Sequence, residues 1–287
     1  MKKLSETQIE EFWRDGYLLV ENALDKKQLA ELRKDFAGWV EESKSHEQAY
    51  GETMDGRPRF DVEPGHSAES PALRRVASPA EISGAYLDAM KNASVGDYVS
   101  DLIGPAIKFH HGMINSKLPG AATEVKFHQD FPFEPHSNHD LITALMFVDE
   151  VTEENGPLEV LPGSHEGPLY SLWQNGAFTG AMEESVVAEM RDKTVKCAGP
   201  AGSVCLMHTR LVHGSAPNLS DKPRTLYICV YSAEDAIPLS PNPLPSAQAG
   251  DVIRGEYSGR VRAVPYEMEL PEVPKGASFF VQQAEQA

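Results

Sequence analysis

The segment Phe127-His128-Gln129-Asp130, together with the later segment Leu211-Val212-His213-Gly214-Ser215, decides how the rest of this chain is interpreted. His128 and Asp130 are two positions apart, and side chains at that spacing in an extended strand point to the same face of a sheet. His213 comes from a distant strand-like region and can add a third ligand on that face. We therefore predict that His128, Asp130 and His213 form a metal site.

A single arginine strengthens this interpretation. Arg224 directly precedes residues 225–231, a run rich in β-branched and aromatic residues that is typical of a buried strand. A guanidinium at the start of such a strand is costly unless it meets an anion, and its planar fork matches a carboxylate. Two histidines and one carboxylate that leave open coordination positions are typical of non-haem iron(II) oxygenases.

The chain resembles the phytanoyl-CoA dioxygenase family of Fe(II)/2-oxoglutarate-dependent oxygenases, and within it the ectoine hydroxylases. The resemblance rests on residues 127–130, on Asn155-Gly156-Pro157-Leu158-Glu159-Val160-Leu161-Pro162-Gly163-Ser164-His165, on His213-Gly214-Ser215 and on Arg224. It extends over most of the chain and fades after about Asp235. The combination is specific, whereas each piece alone is common.

The resemblance implies roles for the residues of these motifs. His128, Asp130 and His213 would bind Fe(II). Arg224 would pair with the distal carboxylate of 2-oxoglutarate, and Ser215 would form a hydrogen bond with the same carboxylate. With O2 as the other co-substrate, the enzyme would convert 2-oxoglutarate to succinate and CO2. It would at the same time oxidise a small or medium-sized organic metabolite, in the simplest case by hydroxylation.

The resemblance also implies roles for other positions. Asn115 matches a family position that touches the other end of 2-oxoglutarate, and Thr143 is a further candidate for that contact. His111 occupies a position where the family often has a polar pocket residue. The substrate candidates are His111, Phe133, His136 and Trp173.

Alternative functions remain open at this stage. The same oxidising chemistry can lead to desaturation, cyclisation or epimerisation instead of hydroxylation. A non-catalytic jelly roll that binds a ligand would keep the scaffold without turnover. A metal-dependent isomerase or hydrolase on a cupin-like fold would use Zn or Mn, and would need neither Arg224 nor a keto acid.

The spacing of turn residues predicts a mainly β fold with flanking α-helices. Strands are expected at residues 17–20, 107–115, 124–128, 141–148, 158–161, 194–198, 204–208 and 225–231. Many short strands between Gly, Pro and Asn turns favour a sandwich or barrel, and the resemblance implies a double-stranded β-helix, the jelly roll of cupin-like proteins. We expect one domain over residues 1–287, with a helical part at about 1–105, a β-helix core at about 106–235 and a C-terminal wrap at 236–287. Residues 41–70 are a candidate lid.

Composition limits the partners. The net charge of −17 argues against nucleic acid, since binding to its backbone needs clustered Lys and Arg. It also argues against an acyl-CoA, so a small-molecule substrate is expected. No run approaches the ~20 apolar residues of a membrane span, and three widely spaced cysteines favour a reducing compartment. We expect a cytoplasmic protein that is a monomer or a homodimer.

Overall fold

The structure is a computed structural model that describes residues 2–272. In this range the α-helices are Glu6–Asp15 (α1), Lys26–Ser43 (α2), Gly84–Asn92 (α3), Val95–Ile103 (α4) and Glu184–Ala188 (α5). The strands are Tyr17–Val20 (β1), Phe60–Val62 (β2), Leu73–Ala77 (β3), Ile107–Lys117 (β4), Val125–His128 (β5), Leu141–Phe147 (β6), Leu158–Val160 (β7), Trp173–Gln174 (β8), Ala177–Phe178 (β9), Val195–Cys197 (β10), Val204–His208 (β11), His213–Ser215 (β12), Arg224–Ala233 (β13) and Val252–Arg254 (β14). Short 3-10 helices lie at Pro79–Glu81, Phe131–Phe133, Ser164–Glu166 and Arg191–Lys193.

The strands form two antiparallel sheets and one small hairpin. In the large sheet the order is β1-β11-β6-β13-β4-β3-β2, and β14 also pairs with β4. In the small sheet the order is β10-β7-β12-β5, while β8 and β9 form the hairpin. Apolar side chains from both sheets, among them Met207 and Leu226 from the large sheet and Val160 from the small one, form a shared core. This confirms the predicted mainly β, jelly-roll architecture.

The side chains of strand β13 pack on both faces of the large sheet. Leu226 and Ile228 face the cavity between the sheets, whereas Tyr227 and Tyr231 are buried on the opposite face against the helices. This alternation follows from the period-two geometry of a strand. The Tyr227 and Tyr231 hydroxyls donate hydrogen bonds to backbone carbonyls of α3, at 3.1 and 2.9 Å respectively. The helical layer is therefore attached directly to the strand that begins with Arg224.

The expected helical part at residues 1–105 is only partly helical. Besides α1 to α4 it contains β1, which pairs with β11, and β2 and β3, which extend the edge of the large sheet. The sequence obscured β2 and β3 because they are short and carry charged side chains. Two of these, Asp61 and Arg74, form an ion pair of 2.7 Å. Strand β2 also lies inside the candidate lid at residues 41–70, whose lid function stays a prediction.

The three cysteines and the lengths of the helices relate to the predicted compartment and to the expectation about membranes. Cys197, Cys205 and Cys229 are all buried as free thiols. Across residues 2–272, every helix is too short or too polar to cross a bilayer. In the predicted C-terminal wrap, β14 adds to the large sheet, and residues 273–287 lie outside the described range.

Gly16 provides a test of the packing between α1 and the sheets. It ends α1 with a left-handed φ of 80°, and a methyl group there would overlap His165 and Leu211. We expect Gly16→Ala to lower the free energy of unfolding by about 2 kcal/mol or more, because the left-handed backbone and the overlap both disfavour alanine.

Gly38→Ala is the matched control. Gly38 lies inside α2 with no neighbouring atom near an added methyl, so alanine should be neutral or stabilise the helix by up to ~1 kcal/mol. Urea denaturation of both variants measures the difference. Equal stability of the two would contradict the packing described for Gly16.

Candidate metal centre and anion site

Cross-strand pairing brings together the side chains of His128, Asp130 and His213. His213 is the first residue of β12 and lies directly opposite His128, the last residue of β5. Their ring centroids are 4.2 Å apart. The Nε2 atom of each imidazole lies 3.4 Å from Oδ1 of Asp130. One ligand atom from each of the three residues thus falls within 4.8 Å of the others.

Backbone carbonyls set the tautomer of both imidazoles. Nδ1 of His128 lies 2.8 Å from the carbonyl oxygen of Lys126, and Nδ1 of His213 lies 2.9 Å from that of Leu211. A carbonyl oxygen can only accept, so each Nδ1 carries the proton and donates it. In the neutral form of each ring, Nε2 therefore carries the lone pair and can bind a metal. This arrangement, with the second ring nitrogen tied to the backbone, is usual for histidines that bind metals.

Asp130 reaches this position by a different route from the one predicted. Strand β5 ends at His128, and Asp130 has a helical backbone (φ −72°, ψ −38°) at the start of the 3-10 helix Phe131–Phe133. The same-face argument for an extended strand was therefore wrong for Asp130, although its carboxylate does meet the imidazoles. The hydroxyl of Thr143 on β6 donates to Oδ2 of Asp130 at 2.6 Å. Thr143, predicted to contact 2-oxoglutarate, thus holds the carboxylate, and its predicted contact remains untested.

Electrostatics favour an ionised carboxylate at this point. Burial by itself would raise the pKa of Asp130, but the charge of His213 and the hydrogen bonds from both imidazoles hold it well below its usual range. Burial, with the neighbouring His213, lowers the pKa of His128, whereas Asp130 raises the pKa of His213 although burial opposes this. The cluster can therefore offer a carboxylate and a neutral imidazole, which are the forms that bind a divalent cation.

The three side chains open onto a cavity between the two sheets. Its apolar wall comes from both sheets and includes Val125, Met113, Leu145, Leu158, Met207 and Ile228. Its polar wall includes Arg75, His111, Asn115, Glu134, Ser215 and Arg224. The cavity therefore combines the cluster of His128, Asp130 and His213 with two buried guanidinium groups in mostly apolar surroundings.

Arg224 lies at the start of β13 and is 2 % exposed. Its Nε donates to the carbonyl of Gly156 at 3.0 Å, and its Nη1 donates to Oδ1 of Asn115 at 3.1 Å. Burial lowers the pKa of Arg224 to about 9, so the group remains a cation at neutral pH. Asn115 was expected at the other end of 2-oxoglutarate, and here it lies beside the guanidinium.

A second cluster of two histidines and a carboxylate adjoins the cavity. On β4 the register shifts so that His111 pairs with Val230 while Phe109 pairs with Tyr231, which leaves His110 as a bulged residue. A bulge re-aims side chains, and here both imidazoles reach Glu134. Their Nε2 atoms lie 3.3 Å and 2.8 Å, respectively, from its Oε2.

The hydrogen bonds of this second cluster differ from those of the first. Nδ1 of His111 is buried and has no hydrogen-bond partner among residues 2–272. A neutral His111 therefore carries its proton on Nε2 and donates it to Glu134. That nitrogen then has no lone pair for a metal. We interpret the cluster as a hydrogen-bonded carboxylate in the cavity wall.

The four residues expected at the substrate have different positions. His111 and Phe133 line the cavity, and the Phe133 ring meets the His128 ring edge to face at 5.6 Å. His136 and Trp173 are not among the described residues of the cavity wall. His136 is instead bonded through Nδ1 to the Glu134 carbonyl at 2.7 Å, and Trp173 lies on β8 in a separate depression on the protein.

Sequence reasoning missed three charged residues of this region. Arg75 and Glu134 line the cavity, and Lys117 is buried next to Ser215, with its Nζ 2.7 Å from the serine Oγ. All three stand in polar or mixed stretches, where a charged residue is ordinarily solvated. The one available signal was that Lys117 ends a long β-rich segment, as Arg224 begins one.

Comparison with known proteins identifies the family. The model of the phytanoyl-CoA dioxygenase (PhyH) family matches residues 12–226. The chain belongs to this family. A crystal structure of EctD from S. alaskensis with 2-oxoglutarate and 5-hydroxyectoine superposes with a TM-score of 0.67 at 25% identity, covering 92% of this chain and 89% of that one. This agreement confirms the predicted cupin-type jelly roll.

Two relatives support the activity of the family. A probable alpha-ketoglutarate-dependent hypophosphite dioxygenase of Stutzerimonas stutzeri is 32% identical over 94% of this chain and 92% of its own length. L-proline trans-4-hydroxylase of Streptomyces griseoviridis is 25% identical over 80% of this chain and 87% of its own length. The protein is an Fe(II)- and 2-oxoglutarate-dependent dioxygenase that acts on a small molecule. The ligand-binding and Zn or Mn alternatives are not favoured.

The difference between the two histidine clusters generates a prediction about metal content. We expect one divalent ion per chain, because both rings of the cluster with Asp130 are bonded to the backbone through Nδ1, whereas His111 directs its Nε2 proton to Glu134. Asp130→Asn should reduce Fe(II) occupancy strongly, whereas Glu134→Gln should leave it at one. Anaerobic Fe(II) titration with elemental analysis measures both. A second equivalent of metal that disappears in Glu134→Gln would overturn our interpretation of the second cluster.

Proposed function

We propose that His128, Asp130 and His213 hold the iron and that Arg224 and Ser215 bind the distal carboxylate of 2-oxoglutarate. The observation that carries this proposal is the meeting of two Nε2 atoms and one ionised carboxylate at one end of a cavity, with Nδ1 of each ring tied to the backbone. Two imidazoles, which bind a metal in their neutral form, and a carboxylate suit iron(II) and leave positions open for other ligands. When bound, iron and 2-oxoglutarate supply the oxidising chemistry, with release of succinate and CO2.

The chain's own residues position the reactants and keep water away. Thr143 holds one carboxylate oxygen of Asp130, so the other faces the imidazoles. Arg224 is held by Gly156 and Asn115, so its charge is fixed in place before an anion arrives. A fixed cation in an apolar wall attracts a carboxylate more strongly than one in water does. The apolar residues of both sheets exclude water from the same space.

We propose that the substrate lies beside His111, Phe133 and Glu134, which line the cavity next to the proposed iron ligands. His111 and Glu134 form a polar patch, and Phe133 supplies an apolar one. This mixture suits a small metabolite with both kinds of surface, and hydroxylation of a C–H bond is the simplest reaction. Asn115 and Thr143 are retained as contacts of 2-oxoglutarate, whereas His136 and Trp173 lack a place in the described cavity wall.

The organisation and the setting of the protein are also proposals. We infer one domain over residues 1–287, since β1 and β3 of the N-terminal part pair with strands of the core. A monomer or homodimer is expected, which light scattering can decide. A cytoplasmic location is supported by the three buried free thiols, which suit a reducing compartment.

The direct test of the function is a succinate-release screen with Fe(II), 2-oxoglutarate and a library of small metabolites that includes L-proline, ectoine and hypophosphite. Formation of succinate that depends on iron, on O2 and on one of these compounds is the expected result. Purified protein that binds Fe(II) but never consumes 2-oxoglutarate under any condition would contradict it.

Arg224 allows a sharper test of the anion site. We expect Arg224→Met to raise the KM for 2-oxoglutarate by about 100-fold, because two charge-assisted hydrogen bonds to the carboxylate are lost. Arg33→Met is the control, since Arg33 is half exposed and donates to the Val148 carbonyl outside the cavity. If Arg224→Met changed only the KM of the organic substrate, the assignment of Arg224 would be wrong.

A further inference from the structure

A second buried cation stands directly opposite Arg224. Lys117 is the last residue of β4, and the register of the sheet pairs it with Arg224, the first residue of β13. Paired residues on antiparallel strands project from the same face, and like charges in that position repel each other. Lys117 is 1 % exposed and Arg224 is 2 % exposed, so water does little to weaken the repulsion. Both groups can therefore be charged at the same time only at a cost, and a nearby anion would reduce that cost.

The Lys117 side chain is directed to Ser215, a proposed contact of 2-oxoglutarate. Its Nζ lies 2.7 Å from Oγ of Ser215 and 3.3 Å from the Ser215 carbonyl, and it also contacts the Ala216 carbonyl. Gly156, with φ 80°, provides the space for this path, because a Cβ there would lie 2.9 Å from Cδ of Lys117. The lysine is thus built into the wall behind Ser215.

The charge of this amine depends on its surroundings. Burial, followed by the neighbouring Arg224, lowers the pKa of Lys117 to about 6. Glu63, Glu124 and Glu159 act in the opposite direction without offsetting these two effects. In the absence of an anion the amine is therefore largely neutral at neutral pH. An anion beside Arg224 and Ser215 would favour the protonated form.

We propose that Lys117 is a positioning residue of the 2-oxoglutarate site and takes up a proton from solvent when the co-substrate binds. This inference rests on the proposed roles of Arg224 and Ser215. The neutral amine has a lone pair that accepts the hydroxyl proton of Ser215. The ammonium form has three N–H donors and no lone pair, so it donates to Oγ of Ser215. The serine hydroxyl is then free to donate its hydrogen bond to the carboxylate of 2-oxoglutarate.

This coupling has a defined sign. Below the pKa of the free protein Lys117 is already charged, so affinity for 2-oxoglutarate is highest and does not vary with pH. Above it, each binding event requires a proton, so affinity falls as pH rises until the pKa of the complex is passed. Below about pH 8 the dependence expected from this pair involves one proton per chain and comes from Lys117, since Arg224, with its pKa of about 9, remains charged there.

The test is calorimetric binding of 2-oxoglutarate to the wild-type protein loaded with Mn(II), which replaces iron without oxidation. Titrations at neutral pH in buffers of different ionisation enthalpy give the number of protons taken up. Loading the metal first completes any proton release by its ligands. We expect uptake approaching one proton per chain. Tight binding with no uptake, or with proton release, would overturn the inference.

Variants identify the residue responsible. Lys117→Met keeps the apolar stem and should abolish proton uptake and weaken 2-oxoglutarate binding by about 10- to 100-fold. Lys108→Met is the matched control, because Lys108 lies on the same strand but bonds to the Ala236 carbonyl, away from the cavity. Lys108→Met should retain wild-type affinity and proton uptake.

A double-mutant cycle tests the route through Ser215. If Lys117 acts through this hydroxyl, combining Lys117→Met with Ser215→Ala should weaken binding by less than the product of the two single effects. Unchanged affinity and proton uptake in Lys117→Met would refute the inference. Should that variant fail to fold, the wild-type proton count still decides. A wild-type protein that does not bind 2-oxoglutarate at all would instead refute the proposed anion site.

Discussion

The pairing of His213 with His128 across β12 and β5 is the constraint on which the active centre depends. Strand β12 has three residues and is held between β7 and β5. A shift of one residue in this register would turn His213 to the opposite face of the small sheet. The backbone bonds at Nδ1 of both imidazoles then orient the rings. The position and orientation of the two histidines proposed to bind iron thus come from main-chain geometry.

The large sheet gives this centre a firm support. The side chains of β13, the strand that begins with Arg224, alternate between the cavity and the helices, so the strand is packed on both faces. The hydrogen bonds from Tyr227 and Tyr231 to α3 add polar contacts on the helical side. The proposed anion site therefore lies at the end of a well-packed strand, which suits a group that must hold its charge in place before a ligand arrives.

The buried ionisable groups in and beside the cavity have opposite signs of charge. Asp130 and Glu134 contribute carboxylates, while Arg224 and Lys117 contribute groups that are or become cations. Each charge is costly to bury alone, and each is partly stabilised by neighbouring donors or acceptors. Metal and dicarboxylate would complete this balance. The same burial that makes an isolated charge costly also makes its interactions with these ligands strong.

The sequence by itself determined the chemistry of the centre and the class of the fold. The types of the three candidate ligands, the position of Arg224 before a buried strand and the many short strands between turns were readable from the printed chain. These features are local, because period-two patterns, turn residues and donor types depend on neighbouring positions only. The family resemblance added the co-substrate, which residue chemistry alone left as an unspecified anion.

Only the tertiary structure decided which charged residues meet. It brought Asp130 to the imidazoles from a helical turn, placed Lys117 opposite Arg224, turned two histidines toward Glu134 through a bulge, and left Trp173 in a separate depression. Burial and register depend on partners that are far apart in the chain. A local sequence pattern contains no information about burial or register, so the sequence does not distinguish a buried lysine from a solvated one.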